Sequence, residues 1–175
     1  MGFHMNGILC INKPAKYTSF DVVARIRGMS KTKKVGHSGT LDPMATGVLP
    51  VFLGTATKAV GLLPNDDKRY TAAFQLGMKT DTLDSYGKIL SQTESHITAR
   101  QLEQVLSGFR GEISQLPPMY SAVRVNGQRL YNLAREGKEV DRMPRTVTVY
   151  RLELTDFDEI SQQGSLDVDV YKRQK

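Results

Sequence analysis

Two side chains with catalytic potential, His37 and Asp42, lie close together in the glycine-rich segment 36–50. An aspartate can act as a nucleophile or a general base, and a histidine can be a general base, a stacking group or a metal ligand. Pro43 restricts the backbone of the preceding residue to extended conformations, which would hold the Asp42 carboxylate in a defined direction. Asp-Pro pairs are also common in turns, where the carboxylate caps backbone N–H groups, so a structural role is a second interpretation.

Residue spacing argues against a metal centre and against two common catalytic motifs. The other histidines, His4 and His96, and the single cysteine, Cys10, stand in unrelated segments, so no cluster has the spacing of zinc ligands. Neither Ser38 nor Ser121 sits in the nucleophile elbow of a hydrolase. No Gly-Lys-Ser/Thr sequence follows the glycines, as a phosphate-binding P-loop requires. We therefore expect no metal at this site.

The net charge of +6 comes from the first third of the chain. Residues 1–58 hold eight lysines and arginines against two aspartates, whereas basic and acidic residues balance over 59–175. A local basic patch is typical of a surface that follows nucleic-acid phosphates. A solvated helix end beside a flexible loop would have the same composition. The candidate nucleic-acid-binding cations of the whole chain are Lys13, Lys31, Lys33, Lys34, Lys68 and Arg69.

Tyr70 directly follows two of these cations, Lys68 and Arg69. A cation beside an aromatic ring suits a nucleobase with its phosphate, although a tyrosine on an edge strand with solvated neighbours gives the same pattern. The basic run over 31–34 has the same ambiguity. Because that run lies near Asp42 in the sequence, we favour a nucleic-acid contact for it.

Local patterns predict the elements that position these side chains. A strand over 7–12 comes first, and Ser19 is expected to cap a helix that ends at Gly28. A long loop over 29–47 then carries both candidate catalytic residues, and an apolar strand over 48–53 anchors it. Further predicted elements are a short helix over 55–63, strands over 70–76, 88–90 and 145–157, a half-exposed strand over 166–170, a helix over 101–109 capped by Thr98, a turn at Asn126-Gly127 and a helix over 130–135.

These elements do not alternate as regular βαβ units, which favours an α+β fold with a mixed, mainly antiparallel sheet flanked by helices. A chain of 175 residues that is 39% hydrophobic and 24% charged suits one globular domain, expected over 6–171, and its length would also allow two small lobes on one sheet. Residues 1–5 are expected to be a tag or an alternative start, and 172–175 a non-native tail. A single cysteine indicates a reducing, cytoplasmic location, and no apolar run has the length of a membrane span.

Segment 36–50, with the sequence GHSGTLDPMATGVLP, resembles the catalytic motif of the TruB family of tRNA pseudouridine synthases. The resemblance extends over residues 6–160, nearly the whole chain. Other matching blocks are Lys13-Pro14 with Thr18-Ser19, Lys68-Arg69-Tyr70, Thr80-Asp81-Thr82 with Asp84 and Gly87, and residues 117–122.

This resemblance implies a pseudouridine synthase fold that converts uridine 55 of the tRNA T loop to pseudouridine, without metal or organic cofactor. It implies that Asp42 is the catalytic nucleophile, that Tyr70 stacks on the target uracil and can act as a base, and that His37 helps hold the T loop. The target base must be flipped out, because a stacked uridine hides its glycosidic bond. Whether Asp42 attacks the sugar or the base stays open. The expected partner is the T-loop stem of tRNA, bound by a monomer with no membrane association.

The sequence departs from the family pattern at two places. Lys16 stands where the first motif usually has glycine, so the turn there is expected to differ. After the strand over 166–170, the family continues into a motif whose arginine pairs with the catalytic aspartate, whereas this chain reads YKRQK. We therefore expect a C-terminally truncated chain that keeps some RNA affinity but has little or no activity. It is expected to lack the C-terminal RNA-binding domain, with Arg173 at best a partial substitute for the arginine.

Two alternatives to an active isomerase remain at this point. The first is a catalytically silent RNA-binding or RNA-folding module of the same fold. The second is a basic structural protein in which Asp42 only caps a turn, so that its loss would lower stability and leave RNA binding unaffected. The enzyme and the silent module differ only in chemistry, and an Asp42→Asn variant separates them.

Overall fold

The computed structural model describes residues 5–63 and 67–171. The predicted tail over 172–175, with Arg173, and all but the last residue of the predicted tag lie outside this range. The chain divides into two compact units, the first holding the described residues up to Leu63 and the second those from Asp67 onward.

Every described strand pair is antiparallel, and helices accompany the sheets, so the α+β prediction is confirmed. The single domain over 6–171 stays a prediction.

The first unit, over its described residues, contains a three-stranded sheet, one α-helix and one 3₁₀ helix. Its elements are β1 (Gly7–Lys13), α1 (Ser19–Ser30), β2 (Val35–His37), β3 (Gly47–Leu53) and the 3₁₀ helix (Gly54–Leu62). In the sheet order β1–β3–β2, Lys13 on β1 stands opposite Gly47 on β3, and His37 on β2 stands opposite Val51. The apolar face of α1 packs on the central strand, because its valines meet the leucines and valines of β3.

The N-terminus of α1 is capped by Thr18, which corrects the prediction of Ser19. The Thr18 hydroxyl accepts from the backbone N–H of Asp21 at 3.0 Å, and the Asp21 carboxylate accepts from the backbone N–H of Thr18 at 2.8 Å. This reciprocal pair is a capping box. Thr18 has the extended backbone that a cap requires, whereas Ser19 is already the first helical residue.

The C-terminus of α1 also differs from the prediction. The helix passes Gly28 and ends at Ser30, because Lys31, with a φ of 50°, takes the left-handed conformation of the C-cap. The predicted loop over 29–47 is therefore shorter. It begins after the helix, is interrupted by β2, and leaves residues 38–46 as the connection that carries Asp42.

The described part of the second unit contains eight strands and two helices. Its elements are β4 (Asp67–Gln75), β5 (Met78–Thr80), β6 (Ile89–Gln92), α2 (Ala99–Ser107), β7 (Gly111–Gln115), β8 (Arg124–Val125), β9 (Gln128–Arg129), α3 (Leu130–Arg135), β10 (Arg145–Asp158) and β11 (Gln163–Tyr171). Four of the strands form an antiparallel sheet in the order β4–β11–β10–β7, and the others form two separate hairpins, β5–β6 and β8–β9. Leu102 and Leu106 of α2 pack against Val149 and Leu152 of the long strand β10.

Two local predictions in the second unit are confirmed. Thr98 caps α2 through a second capping box, with Gln101 as its partner. Asn126 and Gly127, with φ of 50° and 81°, connect β8 to β9. Two consecutive positive φ values are what a tight hairpin turn of this type requires, and Asn-Gly is the sequence that adopts them most readily.

Candidate active site

The connection that carries Asp42 is anchored to the sheet at both ends. Ser38 donates its backbone N–H to the Pro50 carbonyl at 3.0 Å, and Gly47 pairs with β1. Between these anchors, Ala45 donates its backbone N–H to the Asp42 carbonyl at 3.1 Å and closes a turn with Pro43 at its second position. Proline favours that position because its ring presets φ.

The Asp42 side chain is exposed at the start of this turn. The turn is closed by the backbone carbonyl of Asp42 and not by its carboxylate. Within the described ranges 5–63 and 67–171, no hydrogen bond or ion pair engages the carboxylate. The structure thus gives no support to a turn-capping role, and it leaves the carboxylate of Asp42 available for chemistry.

Lys13 lies beneath the same turn, which corrects its prediction as an RNA contact. Its side chain is fully buried at the end of β1. The Nζ atom donates to three backbone carbonyls, those of Pro14 at 3.0 Å, Tyr17 at 2.7 Å and Pro43 at 3.1 Å. A buried ammonium must satisfy its N–H groups in this way, so it has no exposed surface to offer a phosphate. Lys13 instead ties the residue after Asp42 to the chain following β1.

His37 ends β2 and is partly buried. Its Nδ1 atom hydrogen-bonds to the Gly39 carbonyl. Since a carbonyl oxygen can only accept, Nδ1 is the donor of this hydrogen bond. The ring is therefore held by the first residues of the Asp42 connection. In the neutral form of the ring, Nε2 is an acceptor for a hydroxyl or N–H donor.

Three of the candidate cations, Lys31, Lys33 and Lys34, occupy the short connection from α1 to β2. All three are exposed, whereas Thr32 between them is buried. Lysines after the last turn also interact favourably with the helix dipole. Their exposure nevertheless presents a compact basic surface in the unit that holds Asp42; these three residues are called the lysine turn below.

Lys16 keeps the backbone conformation that a glycine would have. Its φ of 68° lies in the left-handed region, and its side chain is exposed. A glycine takes this conformation without steric cost, whereas a lysine is strained in it. That the turn differs from the family's stays a prediction.

Replacing Lys16 with glycine is expected to raise the free energy of unfolding by about 0.5–1 kcal/mol, because the left-handed strain disappears. The measurement is urea unfolding followed by circular dichroism. Lys33→Gly is the matched control. Its φ is not positive, so it should lower the free energy of unfolding by about 0.5–1 kcal/mol through added freedom in the unfolded chain. Equal effects of the two variants would contradict the explanation.

The second unit places Lys68, Arg69 and Tyr70 consecutively on β4. Successive side chains of a strand point to opposite faces, so Arg69 lies on the face opposite to Lys68 and Tyr70. Tyr70 stands across from Val168 on β11. The two residues that share a face, Lys68 and Tyr70, therefore keep the combination of cation and aromatic ring that the sequence suggested.

Arg69 makes a bidentate ion pair with Asp167 on β11. Its Nε and Nη2 atoms donate to the two carboxylate oxygens at 3.0 and 2.6 Å. The hydrogen bonds raise the pKa of Arg69 and lower the pKa of Asp167. Asp167 is buried, which corrects the prediction that the polar side of this strand is exposed. The Arg69 side chain is still 64% exposed, and its contact with RNA stays a prediction.

The structure thus places Lys13, the lysine turn, His37 and Asp42 in the first unit, and Lys68, Arg69 and Tyr70 on one strand of the second.

No three His, Cys, Asp or Glu side chains in the described part of the chain lie close enough to hold a metal ion. No helix in that part is long and apolar enough to cross a bilayer.

Comparison with known proteins gives a family match over most of the chain. The model for the TruB family pseudouridylate synthase (N terminal domain) matches residues 27–173. A curated tRNA pseudouridine synthase B of Dehalococcoides mccartyi strain BAV1 is 52% identical over 154 residues, which cover 87% of this chain and 51% of the relative. The tRNA pseudouridine synthase B of Clostridium tetani strain E88 is 50% identical over 151 residues, which cover 86% of this chain and 52% of that relative. The chain spans about half the length of these curated relatives.

Solved structures agree with the fold. A crystal structure of a Cbf5–Nop10–Gar1 complex contains a chain that aligns with a TM-score of 0.69 and 29% identity, over 100% of this chain and 42% of that one. A chain in a structure of an H/ACA ribonucleoprotein bound to a substrate RNA containing 2′-deoxyuridine aligns with a TM-score of 0.65 and 27% identity. The alignment covers 97% of this chain and 39% of that one.

Proposed function

Because the chain belongs to the TruB family of pseudouridylate synthases, we propose that it converts uridine to pseudouridine in tRNA, with uridine 55 of the T loop as its target. The observation that carries the proposal is the exposed Asp42 carboxylate. It stands on a turn in which the carbonyl of the next residue, Pro43, accepts a hydrogen bond from buried Lys13. The curated relatives are named tRNA pseudouridine synthase B, which supports tRNA as the substrate.

In the proposed reaction the N1–C1′ glycosidic bond breaks, the uracil rotates, and a C5–C1′ bond forms. The proton on C5 is lost and N1 gains one, so the reaction is an isomerisation and consumes no co-reactant. Asp42 is the nucleophile, with attack on either the sugar or the base compatible with this balance. Tyr70 is proposed to stack on the flipped uracil and to be the candidate base, and the Nε2 acceptor of His37 to hold the T loop.

The RNA backbone is proposed to follow the lysine turn, Lys31, Lys33 and Lys34, with Lys68 and Arg69 as further contacts. Replacing the three residues of the lysine turn together with glutamine should reduce the slope of log Kd against log salt concentration by about 2–3, because each phosphate contact contributes about 0.7–0.9. Filter binding of a T-stem-loop RNA over a series of salt concentrations measures this slope.

A charge-matched control replaces three other exposed lysines, Lys58, Lys79 and Lys88, with glutamine. This variant has the same net charge as the lysine-turn variant, so a difference between the two slopes reports location and not overall charge. Equal slopes would contradict a phosphate-binding role for the lysine turn.

The direct test of the proposed function is tritium release from a T-stem-loop RNA labelled at C5 of uridine. We expect slow release under single-turnover conditions, matched by pseudouridine in the digested RNA. Bound RNA that releases no tritium would favour the catalytically silent RNA-binding module instead.

A further inference from the structure

The hydroxyl of Ser19 makes two hydrogen bonds to the backbone of Leu41, the residue directly before Asp42. Ser19 Oγ accepts from the N–H of Leu41 at 3.0 Å and donates to its carbonyl oxygen at 3.3 Å. Ser19 is 3% exposed. One buried hydroxyl thus satisfies both backbone polar groups of Leu41, as a neighbouring strand would do.

These hydrogen bonds are not needed to begin the helix. The capping box of α1 is complete with Thr18 and Asp21, and Ser19 contributes no further bond to the helix N-terminus. Its two bonds instead cross 22 residues of sequence to the Asp42 connection. The side chain of Leu41 also packs, partly buried, against the core formed by α1 and β3.

Asp42 therefore stands between two fixed neighbours. Ser19 holds the backbone of Leu41, and the Lys13 ammonium holds the carbonyl of Pro43 at 3.1 Å. The peptide unit before Asp42 is held by the Ser19 bond to the Leu41 carbonyl, and the unit after it by the bond from the Ala45 N–H to the Asp42 carbonyl at 3.1 Å. Lys13 holds the next peptide unit through the Pro43 carbonyl. Together these bonds set the direction of the Cα–Cβ bond of Asp42, while its carboxylate remains exposed. Catalytic groups gain rate when their direction is set before the substrate binds.

We propose that Ser19 is a positioning residue for the nucleophile, acting through the backbone of Leu41. This inference rests on the proposed function, because it assigns Ser19 to the chemical step performed by Asp42. It predicts that loss of the hydroxyl lowers the rate of the chemical step and spares RNA affinity, since Ser19 is buried and has no surface to offer RNA.

The experiment compares Ser19→Ala with Thr18→Ala, which removes the adjacent hydroxyl from the same helix start. Ser19→Ala should lower the single-turnover rate of tritium release about 10- to 100-fold, the range expected when a reacting group is misplaced by up to 1 Å, with Kd for the RNA unchanged within about twofold. Thr18→Ala should lower the melting temperature through loss of the cap and leave the rate unchanged. Equal rate losses in the two variants would overturn the proposal.

A second variant and a second readout keep the test independent of folding and of turnover. Ser19→Cys fills the buried volume with a weak hydrogen-bonding group and should show an intermediate rate. Amide hydrogen exchange by NMR should show loss of protection at Leu41 in Ser19→Ala but not in Thr18→Ala. Unchanged protection at Leu41 would overturn the proposal. Absence of tritium release from the wild-type chain would instead defeat the proposed function, and the exchange experiment would still decide whether Ser19 holds the connection.

Discussion

Replacing Asp42 with asparagine is expected to lower the single-turnover rate of pseudouridine formation by roughly 10³-fold or more, with RNA affinity unchanged within about twofold. Asparagine has the size of aspartate but carries no charge and is a poor nucleophile. The fold should be unaffected, because no hydrogen bond or ion pair to the Asp42 carboxylate is present among residues 5–63 and 67–171. Tritium release measures the rate, and filter binding measures the affinity.

Asp21→Asn is the matched control for this variant. Asp21 and Asp42 are the two acidic residues of the first 58, so the variants change the charge of the same segment equally. The Thr18 hydroxyl and backbone N–H hold the pKa of Asp21 below its usual range, and an asparagine at this position can still accept from them. The Asp21→Asn rate should therefore equal the wild-type rate. Undiminished release by Asp42→Asn would contradict catalysis by Asp42.

Replacing Lys13 with methionine is expected to lower the free energy of unfolding by roughly 2–4 kcal/mol, because three buried charge-assisted hydrogen bonds are lost together. Methionine fills nearly the same volume, so the loss reports the ammonium and not a cavity. The Pro43 carbonyl is freed as well, and the rate of the chemical step should fall more than RNA affinity. Chemical denaturation and single-turnover kinetics measure the two effects.

Lys16→Met provides the control for Lys13. The two lysines stand three positions apart, but Lys16 is exposed, and its replacement should change the free energy of unfolding by no more than about 0.5 kcal/mol. The alternative role of Lys13, a phosphate contact, makes the opposite prediction. Wild-type stability of Lys13→Met together with a smaller salt slope of RNA binding would restore that role.

Most elements of the fold follow from residues near one another in the sequence. Thr98 with Gln101 begins α2, Asn126-Gly127 closes the β8–β9 hairpin, and the apolar run of β3 anchors the Asp42 connection. Each of these signals acts within a few residues, through a capping hydrogen bond, a positive φ or the burial of an apolar run. The start of α1 is harder to predict, since Thr18 and Ser19 are both residue types that cap helices well. Only one residue can be the N-cap, which has an extended backbone, and the other must be helical.

The sequence by itself therefore determined where the candidate nucleophile lies and which elements surround it. The resemblance to family motifs makes Asp42, His37 and Tyr70 the candidate site residues. Only the tertiary structure decided what the neighbouring polar residues do. The bonds of Lys13 to Pro43, Ser19 to Leu41 and Arg69 to Asp167 span 30, 22 and 98 residues. A lysine, a serine or an arginine suits solvent, phosphate or a buried partner equally well in sequence. Burial in the fold decides among these partners, because a polar group withdrawn from water must form its hydrogen bonds with the groups that the fold places beside it.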